Sequence, residues 1–285
     1  MNSCRKIFSA CVLALLTQAA FAQSAPVLGA ASNFAVLSAA PNGGGAVTCT
    51  GGYIDGDVGS SGQPASVVQT EGCTITGAII APVSAGVLDD FSDAYDALAG
   101  QSCDSFLTGT LAGVTLTPGI YCFGAAAALT GTLTLDGGAT DTWLFKVGTS
   151  GTGALTGTNF SVVMTDSASA CNVTWWVAEA ATMTTSDFKG TILAGAAITM
   201  TGTAPGTPAE GRALAKAAVT LTQMAFVGCE GGSLGGTAHP KCNQGVGNGP
   251  EGCDPGNSNQ GNPFRSNDEL GGTPGNPGRQ GGNTK

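Results

Sequence analysis

Between Thr182 and Thr222 polar and apolar residues alternate in short bursts that return along the chain. Thr-Met-Thr-Thr begins at Thr182, Ile-Thr-Met-Thr begins at Ile198, and Val-Thr-Leu-Thr begins at Val219. A second phrase, Gly-x-x-Leu-Ala, opens at Gly190 and again at Gly211. In a strand successive side chains leave by opposite faces, so Thr182 and Thr184, Thr199 and Thr201, and Thr220 and Thr222 each share one face. Met183, Met200 and Leu221 then share the other. Repetition at about 20 residues marks a chain that winds, with each coil burying its apolar side on the next. The pattern predicts an exposed array of Thr hydroxyl and methyl groups over an apolar interior, and β-branched Thr suits such a pleated surface.

The same texture extends upstream. Phe34-Ala-Val-Leu37, Tyr53-Ile54, Ile75 and Ile79-Ile80 are short apolar runs divided by Gly, Asn and Pro, which reads as short strands and tight turns. From Leu107 to Gly228 further runs appear, among them 113–121, 129–135, 142–147, 155–164 and 173–177, with Leu-Thr-Gly-Thr at Leu107, Leu129 and Leu155. Gly in that phrase suits a corner or a close backbone approach. Residues 84–99 differ. Val87, Leu88, Phe91, Ala94, Tyr95 and Leu98 recur at helical steps, with Asp89, Asp90, Asp93 and Asp96 on the other surface, Ser84 as N-cap and Gly100 as stop. One amphipathic helix is predicted, covering one flank of the coils.

Composition and charge narrow the class. Of 285 residues 42% are hydrophobic, only 10% are charged and 46 are Gly, which fits a turn-rich all-β body. A formal net charge of -9 with 10 Lys and Arg argues against nucleic acid and against anionic membrane surfaces. Residues 1–22, with Arg5 and Lys6 before an apolar run and Ala20-Phe21-Ala22 at the end, read as a secretory signal peptide. No later stretch suits membrane insertion, so the mature chain is expected to be secreted, extracellular or periplasmic. Removing Cys4 and Cys11 with the signal leaves Cys49, Cys73, Cys103, Cys122, Cys171, Cys229, Cys242 and Cys253, an even set that reads as disulfides in an exported chain. Pairing is open from sequence. Proximity alone suggests Cys49 with Cys73, Cys103 with Cys122, and Cys242 with Cys253.

Candidate chemistry is sparse. Asp55 and Asp57 fall on one strand face, where calcium binding or glycosidase chemistry competes with a simple turn-stabilising role. Asp136, Asp141, Asp166 and Asp187 are available for acid–base work, and Trp143, Trp175 and Trp176 for stacking on sugars. Adjacent Trp175 and Trp176 must point to opposite faces, so only one of them enters the core. There is one histidine, His239, and none of the nucleophile-elbow, zinc-protease or phosphate-loop motifs. The chain is therefore expected not to be an enzyme, with no metal and no cofactor.

Taken together, Leu28-Gly-Ala-Ala-Ser-Asn-Phe-Ala-Val-Leu-Ser38, Ile54-Asp-Gly-Asp-Val-Gly-Ser60, Leu116-Thr-Pro-Gly-Ile-Tyr121, Trp143-Leu-Phe-Lys-Val147, Asn172-Val-Thr-Trp-Trp176, Phe188-Lys-Gly-Thr-Ile-Leu-Ala194 and Gly211-Arg-Ala-Leu-Ala215 carry a resemblance. In that order, with Ala94-Tyr-Asp-Ala97 in the helix, the set resembles the ice-binding-like β-solenoid family of microbial secreted proteins. The resemblance implies an all-β, discontinuous right-handed β-solenoid of triangular cross-section with one long flanking α-helix. It also implies adsorption to an ice crystal surface through one flat face. Thr182, Thr184, Thr199, Thr201, Thr220 and Thr222 are the ice-contact candidates, chosen on the repeat alignment.

Three features bear on that assignment. Lys189 and Arg212 sit in the other phrase and are expected on a different face. Gln223 ends the Thr pattern, and Pro205 and Pro208 imply a bulge between Thr199 and Thr220 that would spoil flatness. The rival reading is a non-enzymatic adhesion or matrix solenoid. The expected organisation is a signal peptide at 1–22, a solenoid domain at 23–229 with its helix at about 84–99, and a Gly, Asn and Pro-rich, disordered tail at 230–285. The whole is read as a monomer, with the tail offering attachment to a cell-surface or matrix partner.

Overall fold

The structure, a computed structural model, describes residues 27–229. The expected signal peptide, the tail, and a Cys242–Cys253 pair lie outside the described residues. Eighteen strands, all paired in parallel, wind into coils whose strands stack in three ladders. They form a β-solenoid with three flanks, called A, B and C below, and one helix, Ala85–Ala99.

Flank A stacks 79–80, 57–60, 34–38, 213–215, 192–194, 174–177, 143–147, 119–123 and 105–106 in spatial order. Flank B stacks 67–70, 47–50, 219–222, 198–201, 181–184, 155–158 and 127–129. Flank C carries the second halves of the long strands, such as 52–55 beside 224–227 and 207–211 beside 224–228. The stacking is discontinuous. The last strand, Val219–Gly228, lies between the first long strand, Val47–Asp55, and the coil that precedes it in sequence.

Alternation along each strand sends one set of side chains inside. Trp143, Phe145, Phe160, Trp175, Phe188 and Phe226 fill the interior with Val, Ile and Met. Phe145 and Trp175 are register partners, and their rings stack at 4.0 Å. Trp175 is inside and Trp176 outside, as the strand period requires, but Trp176 is covered by the helix. None of the three tryptophans is an open sugar platform, because Trp143 and Trp175 are also buried.

A second core lies between flank A and the helix. Val87, Phe91, Ala94, Tyr95 and Leu98 pack with Leu144, Trp176, Leu193 and Leu214, which leave the sheet by its outer side. The helix carries the chain from the 79–80 end of flank A to the 105–106 end. Hydrogen bonds tie it at three points. Asp90 accepts a bond from the Ala30 amide at 2.7 Å, and the Tyr95 hydroxyl donates to the Val177 carbonyl at 3.1 Å. Buried Lys146 donates to the Ala99 carbonyl at 2.8 Å and to that of Gln101, placing a cation where the helix dipole favours one. Burial also pushes the Lys146 pKa down. The Ser84 hydroxyl makes no capping bond, contrary to expectation; its carbonyl accepts from the Val87 amide instead.

Disulfides join Cys49 to Cys73 and Cys103 to Cys122, as sequence proximity suggested, and Cys171 to Cys229, which it did not. The third pair is 58 residues apart in sequence, and only the winding brings its members together.

Tyr95 provides a pH test of helix docking. Burial first, then the neighbouring Asp96 carboxylate, raise its pKa from 10.0 to about 12. A raised pKa means that its stabilising contribution is complete below pH 10 and is lost as the pH rises towards 12, because the unfolded chain releases that proton more readily. Tyr95→Phe removes a hydrogen bond worth about 0.5–1.5 kcal/mol at neutral pH. Urea unfolding of both proteins should show that difference shrinking between pH 10 and 12. A constant gap across that window would contradict the docking described.

Candidate functional site

Flank B brings the Thr candidates together. Thr182 pairs with Thr199 and Thr199 with Thr220; Thr184 pairs with Thr201 and Thr201 with Thr222. The register continues at both ends. Thr220 and Thr222 pair with Thr48 and Thr50, and Thr182 and Thr184 with Thr156 and Thr158. Five consecutive coils therefore each present two Thr side chains outward, with Val68 and Thr70 beyond one end and Ala128 beyond the other. Rows are about 4.8 Å apart and the two columns about 6.7 Å apart, as coil stacking and strand pleat dictate.

The opposite side of these strands is buried. Cys49, Leu221, Met200 and Met183 lie between the Thr columns on the inner face, with Gly157 in the same register. A Cβ on Gly157 would come within 2.5 Å of the Met183 sulfur, so Met183 fills the space that glycine leaves. In front of the first Thr column stand Ala46, Ala218, Ala197, Ala180 and Ala154. Each carbonyl accepts an amide bond of 2.9–3.0 Å from the adjacent coil, so the ladder's regularity reaches that edge.

The hydroxyls of Thr182, Thr184, Thr199, Thr201, Thr220 and Thr222 find no partner among the described residues and are free for water. Thr50 and Thr70 hydroxyls are 2.9 Å apart, and the Thr156 hydroxyl donates to the Ala127 carbonyl at 3.3 Å. The expected bulge does not disturb the ladder. Residues 202–206 turn at the corner between flanks B and C, and Pro208 already pairs on flank C with Ala225. At that corner the backbone turns through left-handed residues, including Gly51, Asn159, Thr185 and Gln223, so Gln223 ends the Thr column because the chain leaves the flank there.

The other two flanks have different characters. Flank A is covered by the helix. Flank C carries Lys189 with Asp187 at 3.2 Å and Glu210 at 3.8 Å. Arg212 is buried; it donates to the Ser32 carbonyl at 3.1 Å, and burial lowers its pKa to about 10. Flank B has no charged side chain in any of its seven rows.

The carboxylates considered for chemistry have local bonds. Asp55 accepts from the Thr76 hydroxyl at 2.6 Å and Asp57 from the Ala78 amide at 2.7 Å, the turn-stabilising role. Asp136 accepts from the Thr165 hydroxyl at 2.7 Å, Asp141 from the Gly138 amide at 2.8 Å, and Asp187 pairs with Lys189. Among the described residues no three His, Cys, Asp or Glu side chains come together as a metal cage.

The profile of the family described as ice-binding-like matches residues 42–227. The chain belongs to that family. An ice-binding protein of Flavobacterium frigoris (strain PS1) is 32% identical over 212 residues, 68% of this chain and 73% of that protein. Another, from Nostoc sp. (strain HG1), is 36% identical over 203 residues, 67% of this chain and 72% of that one. The crystal structure of an ice binding protein from an Antarctic biological consortium superposes with a TM-score of 0.60 at 30% identity, covering 76% of this chain and 95% of that one.

Within this ice-binding-like fold, Thr48, Thr50, Thr156 and Thr158 are the ladder residues that the Thr-x-Thr phrases centred on Met or Leu leave out. The signal that finds them is longer: Ala, a buried residue, Thr, any residue, Thr, at Ala46, Ala154, Ala180, Ala197 and Ala218. The more visible Leu-Thr-Gly-Thr phrase misleads, because Leu129 pairs with Gly157 and two of its copies stack two residues out of step.

The alternation is testable at adjacent positions. Thr199→Val, on the outer face, should leave unfolding free energy unchanged within about 0.5 kcal/mol. Met200→Ala, one residue on, should cost about 2–5 kcal/mol through the cavity it opens. Denaturant melts of the two variants check this, and equal losses would contradict the facing assigned to the strand.

Proposed function

We propose that this protein adsorbs to ice through flank B, with Thr48, Thr50, Thr156, Thr158, Thr182, Thr184, Thr199, Thr201, Thr220 and Thr222 as the contact array. The observation that carries the reading is the unbroken register of five Thr pairs on the flank that is neither charged nor covered. Family membership and the ice-binding relatives support it.

The physical argument runs from spacing to water. Coils rise by about 4.8 Å, close to a repeat of the ice lattice. Each hydroxyl anchors a water, and each methyl shapes the water beside it. The strands are fixed by the buried residues beneath them, so little ordering entropy is lost on adsorption. Bound molecules hold the crystal front back between them, and the front curves and slows. A partner-selective adhesion or matrix surface would need side chains that discriminate, and the outward positions of this flank offer only methyls and hydroxyls.

The reading extends to organisation. Residues 1–22 act as an export signal, and the solenoid domain that follows is the part that meets ice. The mature chain works outside the cytoplasm as a monomer and performs no catalysis. Support comes from the charged-then-apolar leader, the three disulfides, and the pairing of each considered carboxylate other than Asp166 with a neighbouring group.

Thermal hysteresis and crystal shaping in a nanolitre osmometer test the assignment. Thr199→Tyr or Thr220→Tyr, each placing a bulky ring on the outer face, should remove most of the hysteresis. Val163→Tyr, on exposed flank C, should leave it unchanged. Round, unshaped ice at high concentration of the parent protein would sink the proposal.

A further inference from the structure

The corner between flanks B and C holds a feature that the Thr ladder does not explain. Beyond the second Thr the chain must turn, and all the coils but one do so in left-handed backbone: Glu71 has φ 51°, Gly51 61°, Gln223 53°, Thr185 45°, Asn159 48° and Gly131 69°, while the coil of Thr201 turns at Gly202 without a positive φ. Glycine meets that demand without steric cost, and two of these coils use it. Four do not, and three of those, at Asn159, Thr185 and Gln223, belong to the Thr ladder. Thr, with its branched Cβ, and Gln are costly there, and such outliers gather where a side chain has a task.

The three side chains are polar and accessible, and they reach along the corner from coil to coil. The Thr185 hydroxyl donates to the Asn159 Oδ1 at 2.8 Å. The Gln223 amide extends over Gly51, where an added Cβ would come within 2.4 Å of its nitrogen. Each sits one residue beyond a ladder Thr: Asn159 after Thr158, Thr185 after Thr184, Gln223 after Thr222. They form a third polar row, interrupted at Gly202, beside the two Thr columns at the edge where flank B turns away.

We infer that Asn159, Thr185 and Gln223 are part of the ice contact, holding water around the rim of flank B so that adsorption continues over the corner. This rests on the ladder reading above. A role confined to turning the chain would be met better by glycine. A role in holding water requires the side chain and accepts the backbone strain.

The two roles move stability and activity in different directions. In Asn159→Gly/Thr185→Gly/Gln223→Gly the melting temperature should hold or rise, while hysteresis should fall about twofold to threefold through the lost row of water anchors. Introducing Thr185→Asn, which tolerates left-handed backbone, in place of Thr185→Gly should recover part of the loss. Unchanged hysteresis in the triple variant, or a loss that only tracks a lowered melting temperature, overturns the inference. Thr199→Tyr measured alongside separates the two levels. If that variant is inactive and the triple variant fully active, only the corner assignment fails; if Thr199→Tyr keeps full activity, the ladder reading fails and this one with it.

Discussion

Coil-to-coil register is the constraint on which the molecule depends. Each strand on flank B has one buried and one open side, and a slip of one residue would exchange Met183, Met200 and Leu221 for the threonines beside them. Burial of those three side chains therefore fixes where the hydroxyls stand. The inner face adjusts to keep step. Gly157 makes room for the Met183 sulfur, so a coil with no inward side chain at that position still stacks without a void.

The three flanks divide the remaining tasks. Flank A would expose Leu144, Trp176, Leu193 and Leu214 if it were bare, a contiguous apolar surface of the kind that drives association. The helix covers it, held by Asp90, Tyr95 and Lys146. Lys146 illustrates the balance involved. Removal from water disfavours its charge, and two carbonyls at the helix end together with the helix dipole offset that cost. Flank C takes the charges, where Lys189 bridges two carboxylates. Flank B is left free of both burdens.

Much of this was legible in the chain. The helix stood out because its apolar spacing changes to three- and four-residue steps in a chain otherwise written in alternation, and its buried residues are those the spacing named, apart from half-buried Leu88. The opposite facing of Trp175 and Trp176 followed from strand period alone. Three Thr pairs were visible because Met or Leu stands between them. The pairs at 48/50 and 156/158 were hidden because Cys49 and Gly157 replace that marker, and because Thr48 meets a partner from the far end of the chain. For the same reason Cys171 and Cys229 could not be paired: their neighbourhood is created by winding, to which local pattern is blind. The bulge expected from Pro205 and Pro208 was real as a turn, but its place at a corner depends on the coil path.

The last strand also governs assembly in time. Val219–Gly228 enters between strands that precede it by tens and by more than a hundred residues. Until it is synthesised, Val47–Asp55 has no neighbour on its inner side and flanks B and C have two open edges there, while flank A is joined through 34–38 and 213–215. An ordinary solenoid can grow from one end and be shortened from the other. This one closes only when its last strand is inserted, like a keystone, so contacts of long sequence separation slow its folding. A chain cut short before Val219 would lose the Thr220 and Thr222 row and part the Thr48 row from the other three, leaving flank A, where 34–38 still meets 213–215, as the bridge between them.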